Sequence, residues 1–371
     1  MPRSPATGPV LSQRALNRTL LHRQRLLERG PYDTAETIDH LVGMQSQVPK
    51  APFVGLWSRI AGFDPATLDT LMLERAAVRA SLMRTTLHLV SADDAIGLRP
   101  LFQPVLERAF HSQRAFREGV DGIDPDELLA AGREALEATP LSTSELGRAL
   151  GPRWPDRDPS HLAYAVRFQL PLVQVTPRGT WASTQAPRVA TFETWLGRSA
   201  ATAGDTAALL RRYLAAFGPA TPADVASWSG WTGMRAVLDR LRPRLRLVRD
   251  EDGRELFDIP DAPYPAADTP APTRFLPMYD NIALGHENRS RLATRAFTEP
   301  IWHRGGILVD GFLRGTWRLD RQPGGDSLMR LRVFEPMTAG EVEGVEEEAA
   351  RLAAFLNPDD ASRCDVERLP S

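Results

Sequence analysis

Three times in its first 262 residues the chain sets two or three amphipathic helical segments ahead of a pair of short β-like runs. The first copy begins at Leu11, where Leu16, Leu20 and Leu27 give a helical stripe. Asp33 with Glu36 three residues on predicts a capping box for a helix from Thr34 to Met44. Apolar helices are predicted from Phe53 to Ile60 and from Pro65 to Arg75. The run Ala77 to Val90 is β-like, with Leu82 to His88 as its wing, and Ser91-Ala92-Asp93-Asp94 opens a helix towards Phe110.

In the second copy Ser142 and Glu145 make a capping box for Thr143 to Leu150, and His161 to Gln169 has recognition-helix length. Leu172 to Val175 and Thr180 to Ala182 flank the turn Thr176-Pro177-Arg178-Gly179, which predicts a hairpin. The third copy starts its first helix at Asp205. Thr221-Pro222-Ala223-Asp224 then supplies an N-cap, a proline at the first helical position and an acid at the third. Helices Ala223 to Ser227 and Thr232 to Leu241 follow, then a wing from Leu245 to Val248 and from Glu255 to Asp258. Past a Pro/Ala-rich linker, Asp261 to Pro272, lie β-like runs at Phe275–Pro277, Gly306–Asp310, Gly315–Leu319 and Leu328–Phe334, and a last helix from Ala339 to Phe355. Helix-helix-ribbon units in series predict an α+β protein: three tandem winged-helix units (residues 10–120, 121–200 and 201–262) and a β-rich C-terminal part (263–371).

Composition removes several classes of function. With 42% hydrophobic and 25% charged residues in 371, the chain has ample core. No apolar run reaches membrane-spanning length, and Met1-Pro2-Arg3-Ser4-Pro5 lacks the apolar region of a signal peptide, so a cytoplasmic protein is expected, with a monomer as the default. A single cysteine, Cys364, allows neither a disulfide framework nor a zinc-thiolate site. The seven histidines show no ligand spacing and no Gly-rich phosphate loop is present, so no metal and no cofactor is expected. The net charge of −2 hides an uneven arrangement. Lys50 is the only lysine, and arginines cluster at Arg14, Arg18, Arg23 and Arg25, at Arg240 to Arg249, and at Arg289, Arg291 and Arg295. Acid gathers from Glu341 to Glu348. A basic face with an acidic far side fits DNA binding, while solvated charge is the better account of any one cluster taken alone.

Near the N-terminus stands Met44-Gln45-Ser46-Gln47-Val48-Pro49-Lys50. Pro49 biases Val48 away from the helical region, which predicts that the preceding helix ends at about Gln45. On an extended exit, side chains two apart share a face, so Gln45 and Gln47 would converge on one small target.

These residues resemble the winged-helix DNA glycosylases of the AlkZ/YcaQ type. The matching segments are Leu41 to Gln47, Arg84 to Ser91, Leu276 to Asn281 with His286 and Arg289 to Arg291, and Val309-Asp310-Gly311 through Gly315-Thr316-Trp317-Arg318. The resemblance implies a concave DNA-binding surface, cleavage of the N-glycosidic bond of alkylated purines, and Gln45-Ser46-Gln47 as the catalytic Gln-x-Gln of the AlkZ-like branch, where the other branch has Gln-x-Asp. It further implies a link to self-resistance against DNA-alkylating natural products. The chemistry agrees. A purine alkylated at N7 leaves as a neutral molecule and needs little acid catalysis, while fixed amide dipoles stabilise the oxocarbenium-like sugar and place a water.

Other residues carry one or two readings each. Arg84 falls within the matched segment as a DNA contact. His88, between Leu87 and Leu89, is either a satisfied half-buried histidine or a group near the site. Asn281, with Asp280, fits Asx-turn chemistry or a site role. His286, Arg289 and Arg291 either order the active-site loop or contact phosphate, or else form structural salt bridges. Phe312, Leu313 and Arg314 sit at a tight hairpin whose tip either enters a DNA minor groove or packs against a neighbouring domain. The competing function is a non-enzymatic winged-helix regulator.

Overall fold

In the computed structural model, which describes residues 8–293, 304–321 and 327–358, a two-residue strand β1 (Val10–Leu11) leads into α1 (Gln13–Arg23). Met1 to Pro5, Arg295 and Cys364 lie outside the described residues. Ser12 caps α1 by accepting from the Ala15 N–H. Helix α2 (Thr34–His40), capped by Asp33, stops well short of Gln45. Val42 and Gly43 both take left-handed backbone, with φ of 56° and 82°. The Val42 N–H donates to Asp39 O (3.1 Å) and the Gly43 N–H to Ile38 O (2.9 Å). That pair of bonds closes the helix before Pro49 can act on it. Gly43 has no space for a side chain, since a Cβ would lie 2.4 Å from Val90 Cγ1.

The chain continues through β2 (Met44–Gln45), α3 (Ala51–Trp57), α4 (Pro65–Leu73), β3 (Ala77–Ser81), β4 (Leu87–Ser91) and the long α5 (Ala92–Ser112). Then come α6 (Arg114–Gly119), α7 (Pro125–Ala138), α8 (Thr143–Leu150) with its Ser142/Glu145 capping box, α9 (Pro159–Gln169) and β5 (Leu172–Gln174). The partner of β5 is β6 (Val189–Thr191), not Thr180 to Ala182. Thr180 turns back on Pro177, giving its N–H (3.1 Å) and hydroxyl (2.9 Å) to the Pro177 carbonyl, so the chain coils there instead of extending. The third group is α10 (Phe192–Leu196), α11 (Thr206–Phe217), α12 (Pro222–Ser229) with the Thr221/Asp224 capping box, α13 (Met234–Leu241), β7 (Arg246–Asp250) and β8 (Glu255–Asp258).

The ribbons are not separate wings. Those of the first two groups fuse into one antiparallel sheet of order β2-β4-β3-β5-β6, and β1 pairs in parallel with β7 beside β8. One register row crosses the fused sheet from edge to edge: Gln45, His88, Ala80, Val173 and Ala190. The face carrying Ala80 and Val173 packs on Phe102 of α5, Tyr213 of α11 and Trp228 of α12. The other face, with Met44 and Leu89, packs on Ile38, Phe53 and Leu68. Each of these large side chains contributes roughly 2 kcal/mol by leaving water, and both faces are filled. Gln45 sits at the sheet's outer edge.

The C-terminal part comprises β9 (Arg274–Leu276), α14 (Asn281–Leu284), β10 (Gly305–Val309), β11 (Phe312–Arg321), β12 (Ser327–Val333) and α15 (Ala339–Leu356). Its sheet runs β12-β11-β10-β9, and α15 buries Val345, Ala349 and Leu352 against Phe275, Ile307 and Met329. The β10–β11 hairpin turns at Asp310-Gly311, both left-handed at φ 49° and 79°. An Asp-Gly pair suits the two-residue hairpin turn whose twist matches its strands. Phe312, Leu313 and Arg314 are therefore strand residues, and a register shift between Leu308 and Ile307 bulges the strand at Arg314. Among the described residues no helix is long and apolar enough to cross a membrane.

Candidate active site

Gln45 is 7% exposed on its edge strand, directly opposite His88. Ser46 continues the pairing through its N–H to Leu87 O (2.8 Å), and the Leu87 N–H reaches Gln47 Oε1 at 3.4 Å. Gln47 itself is exposed, so the two amides differ in environment. Between them, Ser46 is fully buried and held by Arg79 of β3. Arg79 Nη2 donates to Ser46 O (2.5 Å), Nε to Ser46 Oγ (3.3 Å), and Nη1 to Gln174 Oε1 on β5. These acceptors are neutral oxygens. Burial, with Arg178 second, pushes the Arg79 guanidinium down to about 10, which leaves it charged at neutral pH.

Arg84 approaches from the β3–β4 turn. Its Nη2 donates to Gln45 Oε1 at 3.0 Å and its Nη1 to the Trp228 carbonyl. Arg84 and Thr85 both have positive φ, 53° and 64°, which non-glycine residues rarely adopt. His88 Nδ1–H donates to Thr86 O at 3.0 Å. Burial first, and Arg84 second, push the His88 imidazole down to about 3, so it is neutral at physiological pH.

The C-terminal part braces the segment from behind. Asn281 Nδ2 donates to Gly43 O (2.7 Å) and Leu41 O (3.2 Å), tying α14 to the turn that precedes Met44. Its neighbour Asp280 makes a buried two-point pair with Arg59, at 2.8 and 2.9 Å, and caps α14 through the Ile282 N–H. Tyr279 just ahead is again left-handed, at φ 59°. Val42, Arg84, Thr85 and Tyr279 thus set four strained non-glycine residues around one short strand, the pattern expected where the backbone is held for function.

Other residues singled out in the sequence lie elsewhere. His286 and Arg291 are buried with Asp224, the His286 ring accepting from Arg291 Nη1 at 3.0 Å. Desolvation drives the His286 pKa well down. Burial alone would raise the Asp224 carboxyl, but the Arg291 guanidinium and hydrogen bonds from Thr221 hold it below its usual range. Beside this knot the Tyr213 hydroxyl donates to Gly285 O at 2.8 Å, and its ring packs on Trp228 with centroids 4.7 Å apart. Arg289 is exposed. The Asp310-Gly311 tip docks on α1, where Arg14 and Arg18 pair with Asp310 and Asn17 Nδ2 donates to Gly311 O (2.7 Å). Arg314 is engaged by Glu335 at 3.2 Å and by Pro336 O at 2.8 Å. The tip of this hairpin is thus packed against a neighbour. Among the described residues no group of three or more His, Cys, Asp or Glu could hold a metal.

Sequence reasoning missed Arg79, Arg59 and the Trp228 carbonyl. One signal was present for Arg79: a lone charge inside Ala77-Val78-Arg79-Ala80-Ser81, a strand otherwise of small and apolar residues.

No curated protein sequence matches the chain. Among solved structures it is similar to the Streptomyces sahachiroi DNA glycosylase AlkZ, at a TM-score of 0.74 and 19% identity over 97% of this chain and 100% of that one, a likeness of fold. A family model described as DNA glycosylase AlkZ-like matches residues 38–355, from α2 to the end of α15, and takes in Gln45, Arg84 and Asn281. The chain belongs to the AlkZ-like DNA glycosylases.

Proposed function

We propose that this DNA glycosylase hydrolyses the N-glycosidic bond of cationic alkylated purines, N7-alkylguanine first among them, in double-stranded DNA. Gln45 and Gln47 border the reacting nucleotide, and the product is an abasic site from a monofunctional enzyme. The observation that carries the reading is the kind of group around the segment. Gln45 and Ser46 are met by two guanidiniums and a neutral imidazole, and the buried carboxylate behind them, Asp280, is committed to Arg59. None of these can deliver a proton to a leaving base at neutral pH. A purine that already carries the alkyl cation needs no such proton.

A cavity of about 370 Å3 opens where the segment exits, between Val48, Lys50, Pro277, Met278 and Trp317. It gives a bulky N7 substituent somewhere to go, which supports natural-product adducts or crosslinks as substrates alongside methylated bases, and self-resistance alongside general repair. The regulator reading has no claim beside membership of an enzyme family.

The test is single-turnover incubation with a duplex carrying one 7-methylguanine, followed by alkaline strand cleavage, for the wild type, Gln45→Ala and Gln47→Ala. Cleavage that falls in both variants supports the assignment. Release of uracil or hypoxanthine at rates similar to 7-methylguanine would sink it, because those neutral bases depart only with acid assistance.

A further inference from the structure

Arginine carries donors only, so its contact with an amide fixes which end of that amide is oxygen. Arg84 Nη2 lies 3.0 Å from Gln45, and the Gln45 carbonyl therefore faces Arg84. The Gln45 Nε2 makes no hydrogen bond among the described residues, nor is it one of their buried atoms left without a partner, so it meets solvent at the sheet edge. Gln47 is the reverse case. Its Oε1 makes only the long 3.4 Å contact with the Leu87 N–H, on an exposed side chain able to turn its carbonyl elsewhere.

We propose that the two glutamines do opposite work: Gln45, its carbonyl held by Arg84, donates an N–H to the departing purine, and Gln47 supplies the carbonyl that holds the water. This deepens the function proposed above and rests on Gln45 bordering the reacting nucleotide. The guanidinium polarises the amide and strengthens its N–H as a donor. The positive end of an amide would raise the energy of an oxocarbenium-like sugar. It lowers that of a purine regaining electrons. The C1′–N9 bond breaks with its electron pair going to the base, which leaves neutral because alkylation had made it cationic. The ring nitrogens and carbonyl oxygen of the base become stronger acceptors as it leaves. Water forms the new bond to C1′ and its proton passes to solvent, so no strong base is needed at Gln47. Arg84 acts through Gln45 and is a positioning residue, as is Arg79 behind Ser46.

The experiment is single-turnover release of 7-methylguanine by the full chain, with the Kd for the lesion duplex measured separately. Gln45→Glu keeps an oxygen for Arg84 and removes the N–H. Both it and Gln45→Ala are expected to lose about 1000-fold in rate, the upper range for one preorganised hydrogen bond, with Kd unchanged within about threefold. Gln47→Glu keeps the acceptor and is expected to stay within about tenfold of the wild type. Arg84→Met is expected to cost about 100-fold in the wild-type background and nothing further in Gln45→Ala, the non-additivity of a residue that works through its partner. An active Gln45→Glu beside an inactive Gln45→Ala overturns the donor role and leaves the site assignment standing. Full activity in both removes Gln45 from the site and overturns both. Additive losses for Arg84→Met and Gln45→Ala make Arg84 structural and overturn the held-carbonyl geometry, a result that does not depend on how Gln45→Glu folds.

Discussion

The β3–β4 and β10–β11 hairpins use the same backbone device at different expense. Each turns through two consecutive left-handed residues, Asp310-Gly311 in one and Arg84-Thr85 in the other. Aspartate and glycine adopt that conformation readily. Arginine and a β-branched threonine each give up roughly 1–2 kcal/mol to it. The cheap turn ends in a dock: Asp310 is gripped by Arg14 and Arg18, and a Cβ on Gly311 would lie 2.5 Å from Asn17 Oδ1 and Leu21 Cδ1. The costly turn ends in an arginine that holds the amide of Gln45. Both loops carry or meet arginine, so charge does not tell them apart. Strain retained at Arg84 and Thr85 marks the hairpin whose side chain has to arrive at one place.

The two hairpins differ most in what a glycine does at Arg84. Glycine relaxes the turn and removes the guanidinium, so excision of 7-methylguanine is expected to fall about 100-fold, or about 2.7 kcal/mol at the transition state. Single-turnover rates measure it. A rate within threefold of the wild type would reduce the β3–β4 turn to a structural loop like its counterpart.

The sequence made most of the helices legible because their ends are written locally. Ser91, Asp205 and the two capping boxes, Ser142/Glu145 and Thr221/Asp224, stand at the predicted starts. The Gln-x-Gln segment was also legible, though as the end of a helix rather than an edge strand. What ended that helix was the left-handed pair Val42-Gly43, in which Gly43 is an ordinary stop signal and Val42 gives no warning. Strand partners were harder, because β5 prefers Val189 to Thr191 over the nearer Thr180 for reasons fixed by the Pro177 turn and by β3 alongside. Within the site, the Arg84–Gln45 contact joins residues 39 apart and the Trp228 carbonyl is 144 residues from Arg84. A sequence read by local pattern cannot see either. Residue type also misled at Phe312 to Arg314, where composition suggested a tip and the Asp-Gly pair one step earlier took the turn.

Acid should expose the difference between the hairpins next. The imidazole of His88 on β4 is neutral when folded, pushed down to about 3, against an ordinary value near 6.5. The unfolded chain takes up a proton below pH 6.5 that the folded chain refuses. The contribution of His88 is therefore complete above pH 6.5 and is lost as pH falls towards 3, at up to about 1.4 kcal/mol per pH unit. His286, kept neutral for the same reason, adds a second slope of the same sign. Denaturant titrations from pH 7 to pH 5 are expected to show His88→Asn with a shallower acid loss than the wild type by about one proton's worth. Equal slopes would mean that the His88 ring is solvated.

Asp310→Ala tests the docked hairpin. The fully buried Arg18 side chain loses its carboxylate but keeps Asn17 Oδ1 at 2.6 Å and the Asp310 carbonyl at 2.9 Å. With those bonds remaining, the expected cost is about 1–1.5 kcal/mol of stability, with the excision rate within twofold. A large loss of rate at unchanged stability would return the Asp310–Arg314 hairpin to the DNA-contacting role first read from its composition.

The smallest effect isolates strain from chemistry. Thr85 shares the left-handed turn with Arg84, but it is tied there by its backbone, the N–H donating to Leu82 O at 3.1 Å. Thr85→Gly removes the steric cost of a β-branched side chain at φ 64°, about 1–2 kcal/mol, and adds the extra freedom of glycine in the unfolded chain, about 0.5–1 kcal/mol. The net expectation is a gain of about 0.5–1 kcal/mol, read as a higher denaturation midpoint at constant slope. The strain at this hairpin would then be divisible: the half at Thr85 a cost the fold can shed, the half at Arg84 tied to Gln45. A Thr85→Gly variant that is more stable and also slow would mean that the rigidity of the whole turn, and not the reach of Arg84 alone, keeps the amide in place.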